Sequence, residues 1–206
     1  MKQKTNRYLR IFLSKLTVTV GVFYLVGCAS TIKPDNQTKK DTMTATEIAI
    51  TREALIPGSQ EAVFNFITAQ DVLPKILTGY AFLPAVVGTS NISGPWDKPG
   101  SSRLVRLADG TTVREQVTEF SSPNHFAYKV SEFGNPILGK LATSARGEWT
   151  FSPEANGTRV RWTYTFTTKN ALSTAPLYAI THLLWRGYMD VCLENSIRLM
   201  KTELTI

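Results

Sequence analysis

The chain has 206 residues and a formal charge of +7, and five of its basic residues (Lys2, Lys4, Arg7, Arg10 and Lys15) crowd the first fifteen positions with no acid among them. Setting those five aside leaves +2 from Cys28 onward, so the high isoelectric point belongs to the amino terminus, and no basic stripe interleaved with aromatics argues for a nucleic-acid partner. Two cysteines and two histidines, His125 and His182, fall short of any metal-ligand spacing, and there is no phosphate-cradling glycine loop, so neither a resident metal nor a nucleotide cofactor is expected.

The basic segment runs into an apolar stretch from Leu16 to Val26, about eleven residues where a bilayer-spanning helix needs roughly 20. This is the order of a signal peptide rather than of a permanent span. Leu25-Val26-Gly27-Cys28 closes the stretch with a branched apolar residue, a small residue and then a thiol. The tetrad resembles the lipobox of bacterial lipoproteins. That resemblance implies a diacylglyceryl group on the Cys28 thiol, cleavage after Gly27 and acylation of the new amine, with the lipid bilayer as partner. Three acyl chains exceed the two signals that stable anchoring requires. Ala29 and Ser30 follow, where lipoproteins retained at an inner membrane often carry Asp, so the resemblance implies the outer membrane facing the periplasm in a Gram-negative host. With Cys28 acylated, Cys192 is the remaining thiol and no intramolecular disulfide is expected.

From Ala29 to about Thr42 the chain is too polar to bury a core and reads as a tether. If flexible, its r.m.s. reach is about 20 Å. The expected organisation is therefore a signal peptide over 1–27, a lipidated tether over 28–43 and one domain over 44–206.

Within the domain, Thr44–Leu55 alternates as a strand and Pro57-Gly58 punctuates its end. Ser59 stands as an N-cap before a short helix carrying Val63, Phe64, Phe66 and Ile67. A second short helix is expected over 71–77, with Asp71 as cap and Pro74 in its opening turn. After Ala81–Val87, the Gly/Pro/Ser-rich stretch from Gly88 to Gly100 reads as a loop with Trp96 at its centre. Strand-like blocks follow at Ser102–Leu107, Thr111–Phe120, His125–Phe133 and Ala145–Phe151, with Asp109-Gly110 as a hairpin turn. Asn156-Gly157 reads as another turn, leading into Thr158–Thr167, where Val160, Trp162, Tyr164 and Phe166 alternate with polar residues. From Thr174 to Leu204 the period is helical, with Thr181, Trp185, Tyr188, Cys192 and Leu199 on one stripe. A single helix of that length would be about 45 Å long and could span a whole sheet.

This order of elements, an α+β pattern, resembles the START-like superfamily, the polyketide cyclase/dehydrase and lipid-transport group also called SRPBCC. Three passages carry the likeness: Pro99-Gly100-Ser101-Ser102-Arg103; Asp109-Gly110 with Val113-Arg114-Glu115-Gln116-Val117; and Gly157-Thr158-Arg159-Val160-Arg161-Trp162. It implies the helix-grip fold, a curved antiparallel sheet wrapped around a long C-terminal helix, with a cavity for an apolar or amphipathic small molecule. It selects no reaction, because the same fold hosts carriers, receptors and enzymes.

Arg103 shares strand parity with Val105 and Leu107, and Glu115 with Val113 and Val117, so both charges are aimed at the apolar face. A charge directed there needs a partner. Arg103 and Glu115 are thus candidates to pair in the cavity and meet a ligand's polar group, or else to form a structural ion pair at the sheet edge or stand exposed to solvent on a twisted strand. Glu119 shares the parity of Glu115 and makes that face less apolar. By resemblance, a glutamate at the Glu115 position lines the pocket of hormone-receptor members. Tyr128, Trp149, Trp162, Tyr164, Trp185 and Tyr188 are the aromatic candidates for the ligand-binding wall, against the alternative of plain core packing. Glu115 and His182 are the acid–base candidates for an enzyme, although no acid stands three or four residues from His182 to orient it. The leading expectation is a membrane-anchored module binding or carrying a hydrophobic molecule or lipid. The alternatives are a cyclase- or hydrolase-like enzyme in the same cavity, and a non-catalytic envelope interaction protein using the Gly88–Gly100 loop, whose Trp96 could be the contact or a lid.

Overall fold

The structure, a computed structural model, describes residues 45–203, apart from the side chains of residues 91, 92 and 203. The signal peptide, the lipidation candidate Cys28 and the whole of the tether lie outside the described residues. Strand β1 (Glu47–Ile56) leads into helix α1 (Gln60–Thr68) and the short α2 (Leu73–Ile76). Five strands follow, interrupted by a helical turn: β2 (Val86–Ser93), β3 (Ser102–Leu107), β4 (Thr112–Ser121), β5 (His125–Ser131), α3 (Leu138–Leu141) and β6 (Ala142–Glu154). The chain closes with β7 (Gly157–Thr168), α4 (Thr174–Ile180), a π-helical segment (Thr181–Trp185) and α5 (Arg186–Glu203).

The seven strands form one antiparallel sheet in the order β1-β7-β6-β5-β4-β3-β2. Successive strands from β2 to β7 are sheet neighbours, and β1 completes the sheet against β7. Register irregularities in β2, between Val117 and Glu119 of β4, and at the start of β6 supply the local bends that let such a sheet curve. Its inner face carries Ile48, Ile50, Val117, Phe126, Val130, Trp149, Phe151, Val160 and Phe166, and α5 adds Met189, Cys192, Leu193 and Met200 to the same core. Burying side chains of this size is worth about 1.5–3 kcal/mol each. Arg52 on β1 and Asp190 on α5 form an ion pair that ties the helix to the sheet edge. This is the helix-grip arrangement.

Local chemistry explains most boundaries. Ser59, extended at φ −66° and ψ 156°, accepts the Ala62 N–H at 3.3 Å and opens α1. Asp71 does not cap α2; its carboxylate instead accepts from Lys75 one turn on at 2.7 Å, and the capping position is Val72. The β6–β7 connection is centred one residue earlier than expected, on Ala155-Asn156, with Gly157 already paired to Glu154. A Cβ on Gly157 would fall 2.4 Å from the Ile56 carbonyl, so glycine is required there by close approach as well as by its φ of +145°.

Three elements differ from the sequence reading. The first half of the expected loop, residues 88–93, belongs to β2, because pairing with β3 satisfies its backbone without help from an apolar side-chain pattern. The C-terminal helix is interrupted by the π-helical segment, where the fully buried Thr181 donates its hydroxyl to the Leu177 carbonyl at 2.8 Å. The bulge in β4 turns Glu119 outward, where it meets Arg146 at 2.8 Å, while Phe120 packs against the core.

Candidate functional site: an apolar cavity beside a buried ion pair

Between the sheet and the C-terminal helix lies a cavity of about 330 Å³. It exists because the wall is uneven. Val86, Val105, Val113 and Val130 on β2 to β5 are short, whereas Trp162, Tyr164, Trp185 and Tyr188 on β7 and the helix are long, and the two halves do not meet. The π-helical segment contributes by bringing Leu184 and Trp185 to the wall together with Ile180 and Tyr188. The polar side chains on this wall, apart from the tyrosine hydroxyls and indoles, are Glu115 and Asn135.

Glu115 is 4% exposed and Arg103 is 2% exposed. They stand opposite each other on β3 and β4, and the Arg103 Nε donates to Glu115 Oε2 at 2.7 Å. The guanidinium is held on two further sides: Nη1 donates to the Gln70 carbonyl at 2.9 Å, and its Cζ lies over the Trp96 ring, 3.7 Å from the centroid. Such a buried charge is tolerable only when it is satisfied this completely. The pair is therefore asymmetric with respect to the cavity. Glu115 is on the wall, and Arg103 stands behind it, reaching only a minor void of about 20 Å³. Trp96, buried over Arg103, is neither an exposed contact nor a lid on the cavity.

Of the aromatic candidates, Tyr128, Trp162, Tyr164, Trp185 and Tyr188 line the cavity. Trp149 does not; it stacks on Trp162 at 4.4 Å and 10° and borders the minor void with Arg103. Burial pushes the Tyr128 and Tyr164 hydroxyls well above the ordinary phenol range, and the nearby Glu115 charge adds to the effect. Burial raises Tyr188 in the same way, and its hydroxyl donates to the Pro84 carbonyl at 3.2 Å. All three phenols thus stay protonated. The indole N–H groups of Trp162 and Trp185 are buried without an acceptor. Gly147 faces Tyr128 across β5 and β6, and a Cβ there would sit 2.1 Å from the tyrosine Cζ, so this glycine makes the room in which Tyr128 lies. His182 is apart from the cavity wall, its ring 4.1 Å from that of Tyr178, and does not meet Glu115. Cys192 is buried in the core, which drives its thiol far above the usual range.

Sequence reasoning did not reach Leu73, Leu77, Phe82, Leu83, Ile137 and Leu138, which complete the wall from loops and short helices. Their signal in the sequence is an apolar side chain with no period to place it. A second recess, larger at about 390 Å³, lies on the outer face of the sheet. Its lining of Glu47, Lys129, Arg146, Glu148 and hydroxyl residues is polar, and Arg146 there already pairs with Glu148 and Glu119, so the apolar cavity is the candidate site. Among the described residues, no cluster of His, Cys, Asp and Glu could hold a metal ion.

A helix-grip domain with an apolar cavity under its C-terminal helix defines the class. The chain belongs to the family described as polyketide cyclase / dehydrase and lipid transport, which it matches over residues 47–201. No curated protein matches it by sequence. Solved structures that resemble it include Ara h 8.0201, at 14% identity and a TM-score of 0.61, covering 76% of this chain and 99% of that one. Norcoclaurine synthase from Thalictrum flavum, in complex with dopamine and hydroxybenzaldehyde, resembles it at 12% identity and a TM-score of 0.58, covering 84% and 98%. The major latex-like protein 151 of Panax ginseng does so at 14% and 0.58, covering 75% and 97%. At these identities the likeness is one of fold.

Proposed function

We propose that this protein is a lipid-anchored protein of the bacterial envelope whose domain binds or carries a hydrophobic or amphipathic small molecule or lipid. The observation that carries the binding part is the cavity of about 330 Å³, a size within the range of small-molecule sites, walled by apolar side chains with Glu115 as its charged group. A ligand with an apolar body and one polar end fits that distribution. Its donor would meet the Glu115 carboxylate, and an acceptor near Trp162 or Trp185 would give those indoles the partner they lack in the protein. A structural neighbour holding two small ring compounds supports the reading by fold analogy. The anchoring part rests on Leu25-Val26-Gly27-Cys28 and the basic, apolar leader before it. In a Gram-negative host, Ala29 and Ser30 favour the outer membrane facing the periplasm.

Native mass spectrometry of the purified protein, and displacement of a fluorescent fatty-acid analogue, test the binding. Val113→Trp, which plugs the wall from β4, is expected to abolish analogue binding while the domain stays folded by circular dichroism. Analogue binding that survives the plug would overturn the cavity as the site. For the anchor, Cys28→Ala is expected to lose incorporation of labelled palmitate. Undiminished labelling of that variant would remove Cys28 as the acceptor.

A further inference from the structure

The large apolar side chains exposed among the described residues are not scattered. Apart from Leu55, they are Tyr80, Phe82 and Val87, then Ile137, then Leu172, Tyr178 and Leu183. These fall on three segments that meet at the mouth of the cavity. Phe82 and Ile137 line the cavity and are nevertheless 89% and 61% exposed, which marks where it opens. Ile180 and Leu184 line it from the third segment, whose outer side presents Leu183 at 74% exposure, with Leu172 at 85% just before α4. Lys169 joins the second and third segments, its backbone N–H donating to the Leu141 carbonyl at 2.8 Å.

Two features show that this rim is built. Tyr80 and Leu83 exchange backbone hydrogen bonds of 3.0 and 2.8 Å across a two-residue turn, and Ala81 in that turn has φ of +51°, a backbone that L-residues adopt at a cost. The turn displays Phe82 at its tip. Beneath it, Gly187 makes space for the Tyr80 ring, which lies 2.2 Å from where a Cβ would be.

The charges name the occupant. Residues 79–88 carry no charge, 133–141 carry Lys140 alone, and 169–186 carry Lys169 and Arg186 with no acid. Asp109, which meets Asn135, and Glu132, paired with Arg114, border one corner and do not reverse the positive balance. Exposed Phe, Leu and Ile flanked by tyrosines and by lysine and arginine suit the interface of an anionic bilayer, where apolar tips enter the headgroup boundary and cations meet lipid phosphates. We infer that the rim formed by Phe82, Ile137 and Leu183 docks on an anionic lipid surface and turns the cavity mouth toward the membrane. The inference goes beyond ligand binding and draws on the proposed anchor only for proximity, a tether of about 20 Å holding the domain beside the bilayer.

The test uses the full-length protein in vesicles of phosphatidylcholine, alone or with an equal part of phosphatidylglycerol. An environment-sensitive nitrobenzoxadiazole label is placed at Leu183→Cys or at Asn156→Cys, on the turn at the far end of β7, about 40 Å from the rim. In anionic vesicles, doxyl-labelled lipid is expected to quench the label at 183 severalfold more than at 156. Adding Phe82→Ser and Ile137→Ser, or removing phosphatidylglycerol, is expected to abolish most of that difference. Equal quenching at both sites, or none at 183, overturns the docking. So does a blue shift at 183 that appears with envelope proteins and not with vesicles. The mass of the Cys28 peptide reads acylation separately, so an acylated protein with an unquenched rim refutes docking and leaves the anchor standing.

Discussion

Replacing Glu115 with Leu leaves the Arg103 guanidinium buried against Gln70 and Trp96 with its charge partner gone. Breaking a buried pair from one side costs about 3–5 kcal/mol, and a guanidinium cannot relieve the cost by losing its proton. Against the roughly 5–15 kcal/mol typical of whole-protein stability, that is a fifth of the total or more. With a urea dependence of about 2 kcal/mol per molar, the midpoint is expected to fall by about 2 M. Arg103→Met is expected to cost less, because the Glu115 left behind can take up a proton and borders the cavity. The double variant Arg103→Met/Glu115→Leu is expected to recover most of the loss, since an apolar pair of similar volume needs no charge compensation. Urea unfolding followed by tryptophan fluorescence reads all three, with Trp96 and Trp149 close to the change. A loss below about 1 kcal/mol for Glu115→Leu, or a double variant as unstable as the sum of the singles, would refute the buried, mutually dependent pair.

Gly147→Ala drives a methyl into Tyr128 and is expected to destabilise by about 1–3 kcal/mol while weakening binding of the fatty-acid analogue, as thermal unfolding and titration would show. Ser59→Ala removes the N-cap of α1 and should cost about 1 kcal/mol in urea unfolding. The buried Cys192 thiol, its ionisation suppressed by burial, is expected to resist Ellman's reagent at pH 8 and to react at once in denaturant. On the outer face, Glu148 is held below the ordinary glutamate range first by its hydrogen bond with His125 and then by Arg146. Its contribution is fully present above about pH 4.3 and is lost as the pH falls below that value. Because these groups are largely solvated, Glu148→Gln should flatten the acid limb of the stability profile by well under about 1 kcal/mol.

Some of the site could be read directly from the chain. The alternation in Val160, Trp162, Tyr164 and Phe166 places a strand's apolar face without reference to anything distant, and Arg103 and Glu115 share parity with their apolar neighbours in the same way. Parity failed where the backbone breaks its own period. Glu119 counts as inward from Glu115, and the bulge after Val117 sends it out to Arg146. Trp149 and Trp162 look alike in sequence, yet only Trp162 reaches the main cavity, because the stacked rings lie one behind the other. Trp96, in a stretch rich in glycine and proline, gave no sign that it would cover a guanidinium.

The sequence by itself determined the alternating hydrophobic faces of the strands, the turn at Asp109-Gly110 and the cap at Ser59, all of which follow from spacing along the chain, and it aimed Arg103 and Glu115 at one face without deciding that they pair, which the facing strands do. Tertiary structure alone decided that the valines of β2 to β5 stop short of the aromatics on β7 and the helix, and so leave a cavity. It also gathered Phe82, Ile137 and Leu183 around one mouth. An unfilled volume and a shared rim depend on distances between segments remote in the chain, and no local period encodes them.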